Sequence, residues 1–120
     1  MNQKGLKRLW LAFLNSVRGF DFAIRREAAV RQEIVVLIFG GVAAIWLAPA
    51  PGWMVAMIGV LLLLPAVELL NTAVEKLSDH VMPEYHEEIK VVKDLGSAAV
   101  FCILLMVALV WGAALFVRFA

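Results

Sequence analysis

Three runs free of Asp, Glu, Lys, Arg and His divide the second half of this chain from its charged beginning: residues 34–50, 51–67 and 97–117. Each is close to the roughly 20 residues that an α-helix needs to cross a bilayer. The first two meet at Ala48-Pro49-Ala50-Pro51-Gly52, where two prolines and a glycine prevent one helix from continuing. The pattern therefore predicts two antiparallel spans joined by a tight turn, then a charged stretch, then a third span. Ahead of them, Leu6, Leu9, Phe13, Val17, Phe20 and Ile24 recur at steps of three and four, with Lys7, Arg8, Arg18 and Asp21 between. That is the pattern of an amphipathic helix lying on a membrane surface, with Gly19 its weakest point.

The expected architecture is an all-α membrane protein of one domain, 1–120. Residues 1–32 form the surface helix, 33–48, 53–75 and 96–117 the membrane helices, and 76–95 the cytoplasmic connection. Composition agrees: 63% of residues are hydrophobic and the mean hydropathy is +0.89, far from the roughly 45–50% apolar usage of soluble domains. Trp46 and Trp53 bracket the turn and Trp111 lies toward the far end of the third run, so all three are expected to be interfacial anchors.

The net charge of +1, from 11 basic and 10 acidic residues, makes no case for nucleic acid. Its distribution sets the orientation. Lys4, Lys7, Arg8, Arg18, Arg25, Arg26 and Arg31 precede the first span and the turn at 48–52 has no basic residue, which predicts a cytoplasmic N-terminus. Cys102, the single cysteine, excludes an intrachain disulfide. The charged first 32 residues predict no cleavable signal peptide, leaving the first span as its own anchor.

Chemistry enters at Glu68, which follows an apolar run and precedes Leu69 and Leu70. A carboxylate at the membrane boundary costs free energy, so it is a functional candidate by default. At about 100° per residue, Glu68, Thr72, Glu75 and Asp79 share a helical stripe, with Asn71 beside it. Lys76 points elsewhere, so this acidic stripe calls for a cation, and a divalent metal carrying phosphates would satisfy it. Two further clusters are expected at the same face of the membrane: Arg25, Arg26, Glu27, Arg31, Gln32 and Glu33 before the first span, and Lys93-Asp94-Leu95-Gly96-Ser97 at the entry to the third. Glu27 and Arg31, four apart, also fit a plain helix-surface ion pair. Acids, an amide and cations together are what phosphoryl transfer uses. The chain has no Walker A, GxGxxG, HRD or DFG element, and Gly40-Gly41 lies within a span, where tight helix packing accounts for it.

The segment Glu68-Leu69-Leu70-Asn71-Thr72-Ala73-Val74-Glu75 resembles the ExxN[ST]AxE signature of the prokaryotic diacylglycerol kinases. Glu27-Ala28-Ala29-Val30-Arg31-Gln32-Glu33 is similar to that family's ExAxRQE stretch, Glu84-Tyr85-His86-Glu87 to its EYHE loop, and Lys93-Asp94 with Gly96-Ser97-Ala98-Ala99-Val100 to its KDxGSAAV. The matches stay in register from about residue 16 onward. The resemblance implies a homotrimer with active sites shared between subunits, in a bacterial inner membrane, transferring the γ-phosphate of ATP with Mg2+ to the hydroxyl of a membrane lipid. It implies Glu68 as the base and Glu27 and Glu75 as metal-linked carboxylates, Glu75 also touching nucleotide. Asn71 is implied as the polar partner that orders the site, Lys93 as a phosphate holder, and Arg8, Asp79, His86 and Asp94 as nucleotide-side residues. Arg31, Glu33 and Ser97 fall to the lipid side and its support. For His86 the residue alone fits equally well a loop imidazole bonded to nearby backbone.

Diacylglycerol is the expected acceptor, with undecaprenol as the alternative, because both present the same hydroxyl chemistry. A small ion-conducting or proton-relay subunit also places acids in a membrane. It would extend polar positions through the span, yet residues 53–67 carry none beyond the Trp53 indole. A purely structural anchor leaves the acidic stripe unexplained.

Overall fold

A computed structural model describes residues 3–120 as four helices: α1 (Gln3–Arg26), α2 (Ala28–Leu47), α3 (Pro51–Val81) and α4 (Glu87–Phe119). Among the described residues there is no strand. α2, α3 and α4 are each long and apolar enough to cross a membrane, so the chain is an integral membrane protein of three spans.

Large apolar side chains cover the outside: Phe39, Trp46, Leu109 and Phe116 are all more than 70% exposed. In water such a surface would aggregate; against lipid tails it costs nothing, and the helices keep every backbone hydrogen bond internal. α3 is the central element. Met57, Val60, Leu61, Leu64 and Pro65 are buried along it, whereas α4 buries only Ala114. Pro65 interrupts the hydrogen-bond ladder of α3 without ending the helix, which a span tolerates because neighbouring helices cover the freed carbonyl.

Two devices bring the spans together. Gly40 of α2 has no side chain where a Cβ would meet Leu61 Cδ1 at 2.5 Å, so α2 and α3 approach closely there. Gly41 has nothing within 4 Å, so of the expected glycine pair only the first does packing work. At the turn end, Ala44, Met57 and Ala114 form a small fully buried cluster. Trp111 departs from its expected anchoring role, because its indole Nε1 donates to the Met57 carbonyl at 3.1 Å and ties α4 to α3.

The break in the N-terminal segment falls at Glu27, not at Gly19, through which α1 runs uninterrupted. Glu27 is extended, at φ −118° and ψ 113°, and is the N-cap of α2 without using its side chain as a cap. Arg31 holds this elbow: its guanidinium donates to the carbonyls of Ile24 at 2.8 Å and Arg25 at 3.3 Å. Those are end-of-helix carbonyls that α1 cannot satisfy itself.

The segment between the second and third spans is mostly helical. α3 continues to Val81 and α4 begins at Glu87, so the link proper is only residues 82–86. At 1.5 Å per residue, the 31 residues of α3 extend about 46 Å, beyond the ~30 Å hydrocarbon core. Its last turns therefore stand in the polar interface or in water.

Candidate active site

Glu68 lies 17 residues after the start of α3, about 26 Å along the helix axis and so near the edge of the hydrocarbon layer. It is half-buried, and three other carboxylates face it. Glu75, two turns further along α3, and Glu27, at the elbow before α2, both stand within electrostatic reach of Glu68. So does Glu33, on the first turns of α2. The side chain of Asn71, one turn along α3, stands within electrostatic reach of Glu68. Asn71 and Thr72 are both buried at this level, under 10% exposed.

Four acids and one amide are thus brought within electrostatic reach by α2, α3 and the elbow before α2. Like charges at close range repel, and taking them partly out of water adds a desolvation cost. One oxygen of Glu33, Oε2, is buried with no hydrogen-bond partner, and so is Asn71 Oδ1. Both are acceptors left without a donor, and the carboxylates outnumber the cation that reaches them, Lys93, which stands within electrostatic reach of Glu75. Among the described residues no group of three His, Cys, Asp or Glu side chains is placed to hold a metal by itself. The donor set nevertheless fits a magnesium ion, which takes one or two carboxylates and completes its shell with phosphate oxygens and water.

Further from the membrane the polar residues are arranged differently. Lys93 of α4 donates to Asp79 of α3 at 2.7 Å, an ion pair that joins the two helices. Lys90 pairs with Asp94 at 2.8 Å along α4. His86 is the N-cap of α4, and its Nδ1 accepts from the Glu88 backbone N–H at 3.1 Å. Asp79, Glu84, Tyr85, His86, Lys90 and Lys93 line a cavity of about 250 Å³ around the 82–86 link.

The residues expected at the site fall into three sets. Glu27, Glu33, Glu68, Asn71 and Glu75 gather around Glu68, and Asp79, His86 and Lys93 line the outer cavity. Arg8, Arg31, Asp94 and Ser97 join neither. Arg31 serves the elbow, Asp94 is held by Lys90, Ser97 is exposed on α4 and Arg8 is exposed in the first half of α1. Helical spacing on α3 had grouped Asp79 with Glu68, yet Lys93 draws its carboxylate to α4. Lys76 does point away from the acidic stripe, lying 4.8 Å from the ring centre of Phe22 on α1. The pattern did not single out Phe22, which also carries Arg26 over its ring at 5.3 Å, and it gave no role to Gly96, against which the Asn71 amide rests. A glycine at the head of an otherwise bulky span was the available signal for the second.

The class defined by these features is a three-span membrane protein that concentrates acids and an amide at one edge of the bilayer, beside a lysine-lined cavity. The profile of the family described as prokaryotic diacylglycerol kinase matches residues 14–115, and the chain belongs to that family. It is 41% identical over 109 residues to a diacylglycerol kinase of Pseudomonas aeruginosa, covering 91% of this chain and 89% of the relative. The diacylglycerol kinase of Escherichia coli strain K12 is 36% identical over 110 residues, 92% of this chain and 90% of its own. That of Haemophilus influenzae is 37% identical over 112 residues, 93% and 95% respectively.

Proposed function

We propose that this protein is an ATP-dependent lipid kinase that phosphorylates diacylglycerol to phosphatidic acid at the cytoplasmic face of a bacterial inner membrane. The observation that carries the reading is the gathering of Glu27, Glu33, Glu75 and Asn71 around Glu68 at the edge of the bilayer. There a lipid hydroxyl and a water-borne nucleotide can meet. Glu68 takes the proton from the acceptor hydroxyl as its oxygen bonds to the γ-phosphorus and the bond to the β-phosphate oxygen breaks, leaving ADP. Asn71 holds the Glu68 carboxylate in place. Lys93, with Asp79 and His86 around the outer cavity, receives the polyphosphate, and Arg8 and Asp94 complete the nucleotide side. Glu27 and Glu75 are the residues that would hold Mg2+, which when bound neutralises charge on the phosphate oxygens. Arg31, Glu33 and Ser97 support the lipid side.

The working assembly in this reading is a homotrimer. An apolar groove of about 520 Å³, lined by Gly40, Ala43 and Ala108 among larger side chains, lies along α2 and α4 and admits close approach by another helix. Sharing between subunits also accounts for nucleotide residues, such as Arg8, that one chain leaves away from the carboxylates. The basic residues ahead of α2 orient the N-terminus to the cytoplasm.

The test is ATP-dependent phosphorylation in mixed micelles with magnesium, diacylglycerol and undecaprenol being supplied in separate reactions. Phosphatidic acid forms from diacylglycerol, and Glu75→Ala reduces the rate at least about 10- to 100-fold, the scale seen for groups that support a metal. Product from undecaprenol alone would reassign the acceptor. No product from either, with folded protein, would end the kinase reading.

A further inference from the structure

The Asn71 carboxamide is buried, and its two ends are not equivalent: the NH2 group donates and the oxygen accepts. Its Oδ1 finds no N–H or O–H partner. Opposite that oxygen lies Gly96 of α4, where an added Cβ would overlap Oδ1 and stand 3.0 Å from Cγ. The Cα hydrogen that occupies the Cβ direction therefore points at the oxygen. This is the arrangement of a Cα–H···O contact, weak singly but recurrent where helices cross. Gly59 and Gly112, in the same two spans, have nothing within 4 Å, so among the glycines of α3 and α4 this contact is particular to Gly96.

With its oxygen held against α4, the amide has its NH2 left to donate, and Glu68 is the acid within reach of this side chain. The reversed amide would set an oxygen lone pair against a carboxylate. We infer that Gly96 is a positioning residue: its missing side chain seats the Asn71 oxygen on α4 and so aims the Asn71 NH2 at Glu68. A methyl group at position 96 occupies the seat and pushes the carboxamide out of line. Gly96 itself touches neither lipid nor nucleotide in this account. The inference rests on Glu68 being the base.

The experiment is a double-mutant cycle on the full-length protein, with Gly96→Ala, Asn71→Ala and the double variant, measured for kcat, KM for ATP and thermal melting. Glu68→Gln is run alongside. Gly96→Ala is expected to lower kcat by about 10- to 100-fold, since small misplacements of reacting groups have effects on that scale, with KM for ATP unchanged. Asn71→Ala and the double variant should share one kcat, because once the carboxamide is gone the added methyl has nothing to displace. Wild-type kcat in Gly96→Ala, or a loss confined to KM for ATP, would overturn the inference. So would a double variant that loses a further factor beyond Asn71→Ala. If Gly96→Ala does not fold, the comparison of Asn71→Ala with the double variant decides, and a double variant that fails to fold where Asn71→Ala folds counts against it. An active Glu68→Gln ends the base reading; an inactive one with an additive cycle ends only the role of Gly96.

Discussion

The two polar regions of this molecule solve the problem of charge in opposite ways. At the outer cavity the helix acids are paired with cations: Lys93 meets Asp79 at 2.7 Å, and just beside the cavity Lys90 meets Asp94 at 2.8 Å. At the membrane edge Glu27, Glu33 and Glu75 each stand within electrostatic reach of Glu68, the Asn71 amide lies beside it, and Lys93 reaches this group only from the side of Glu75. The outer pairs are exposed, so each is screened by water and contributes little to stability. The inner acids are partly desolvated and mutually repulsive, an arrangement that costs stability and is relieved when a cation or a hydroxyl proton arrives. One region has its charge largely answered while it waits for nucleotide, and the other is completed by its substrates.

That contrast can be broken from either side. The largest effect is expected at the inner cluster. Glu68→Gln keeps the shape but cannot take a proton, so turnover should fall by roughly 10²–10⁴-fold, while the melting temperature in detergent holds or rises as one repelling charge is lost. Retained activity would remove Glu68 from the base role. At the outer cavity, Lys93→Met should act on nucleotide instead, raising KM for ATP roughly tenfold for one lost charge-assisted hydrogen bond, with kcat for lipid much less changed. A fall in kcat alone would place Lys93 in the inner region. The smallest effect is expected from His86→Ala, which removes the N-cap of α4. Destabilisation of at most about 1 kcal/mol should result, on the scale of other cap losses. KM for ATP should rise as well, by less than in Lys93→Met, because the imidazole also lines the outer cavity; an unchanged KM would leave His86 only its cap role.

Elements and local neighbours were legible in the chain. The three apolar runs correspond to α2, α3 and α4 because bilayer thickness sets their length, and Ala48-Pro49-Ala50-Pro51-Gly52 had to be a turn because proline cannot continue the α2 ladder. Glu68, Asn71 and Glu75 were expected together because helical geometry ties residues three, four and seven apart. The same geometry could not say that Asp79 meets Lys93 on another helix. It was silent on Arg31, which looked like a partner for Glu27 but caps the end of α1.

By itself, then, the sequence determined that this is a three-span membrane protein with an acid-rich helix end, because hydropathy and helical period are properties of neighbours along one chain. Which acids from different helices share the site was decided only in three dimensions. The elbow brings Glu27 within electrostatic reach of Glu68, the Lys93–Asp79 pair joins α4 to α3, and the bare Cα of Gly96 receives the Asn71 oxygen. These are contacts between residues 14 to 41 positions apart, and the crossing of helices, which no local pattern records, brings them together.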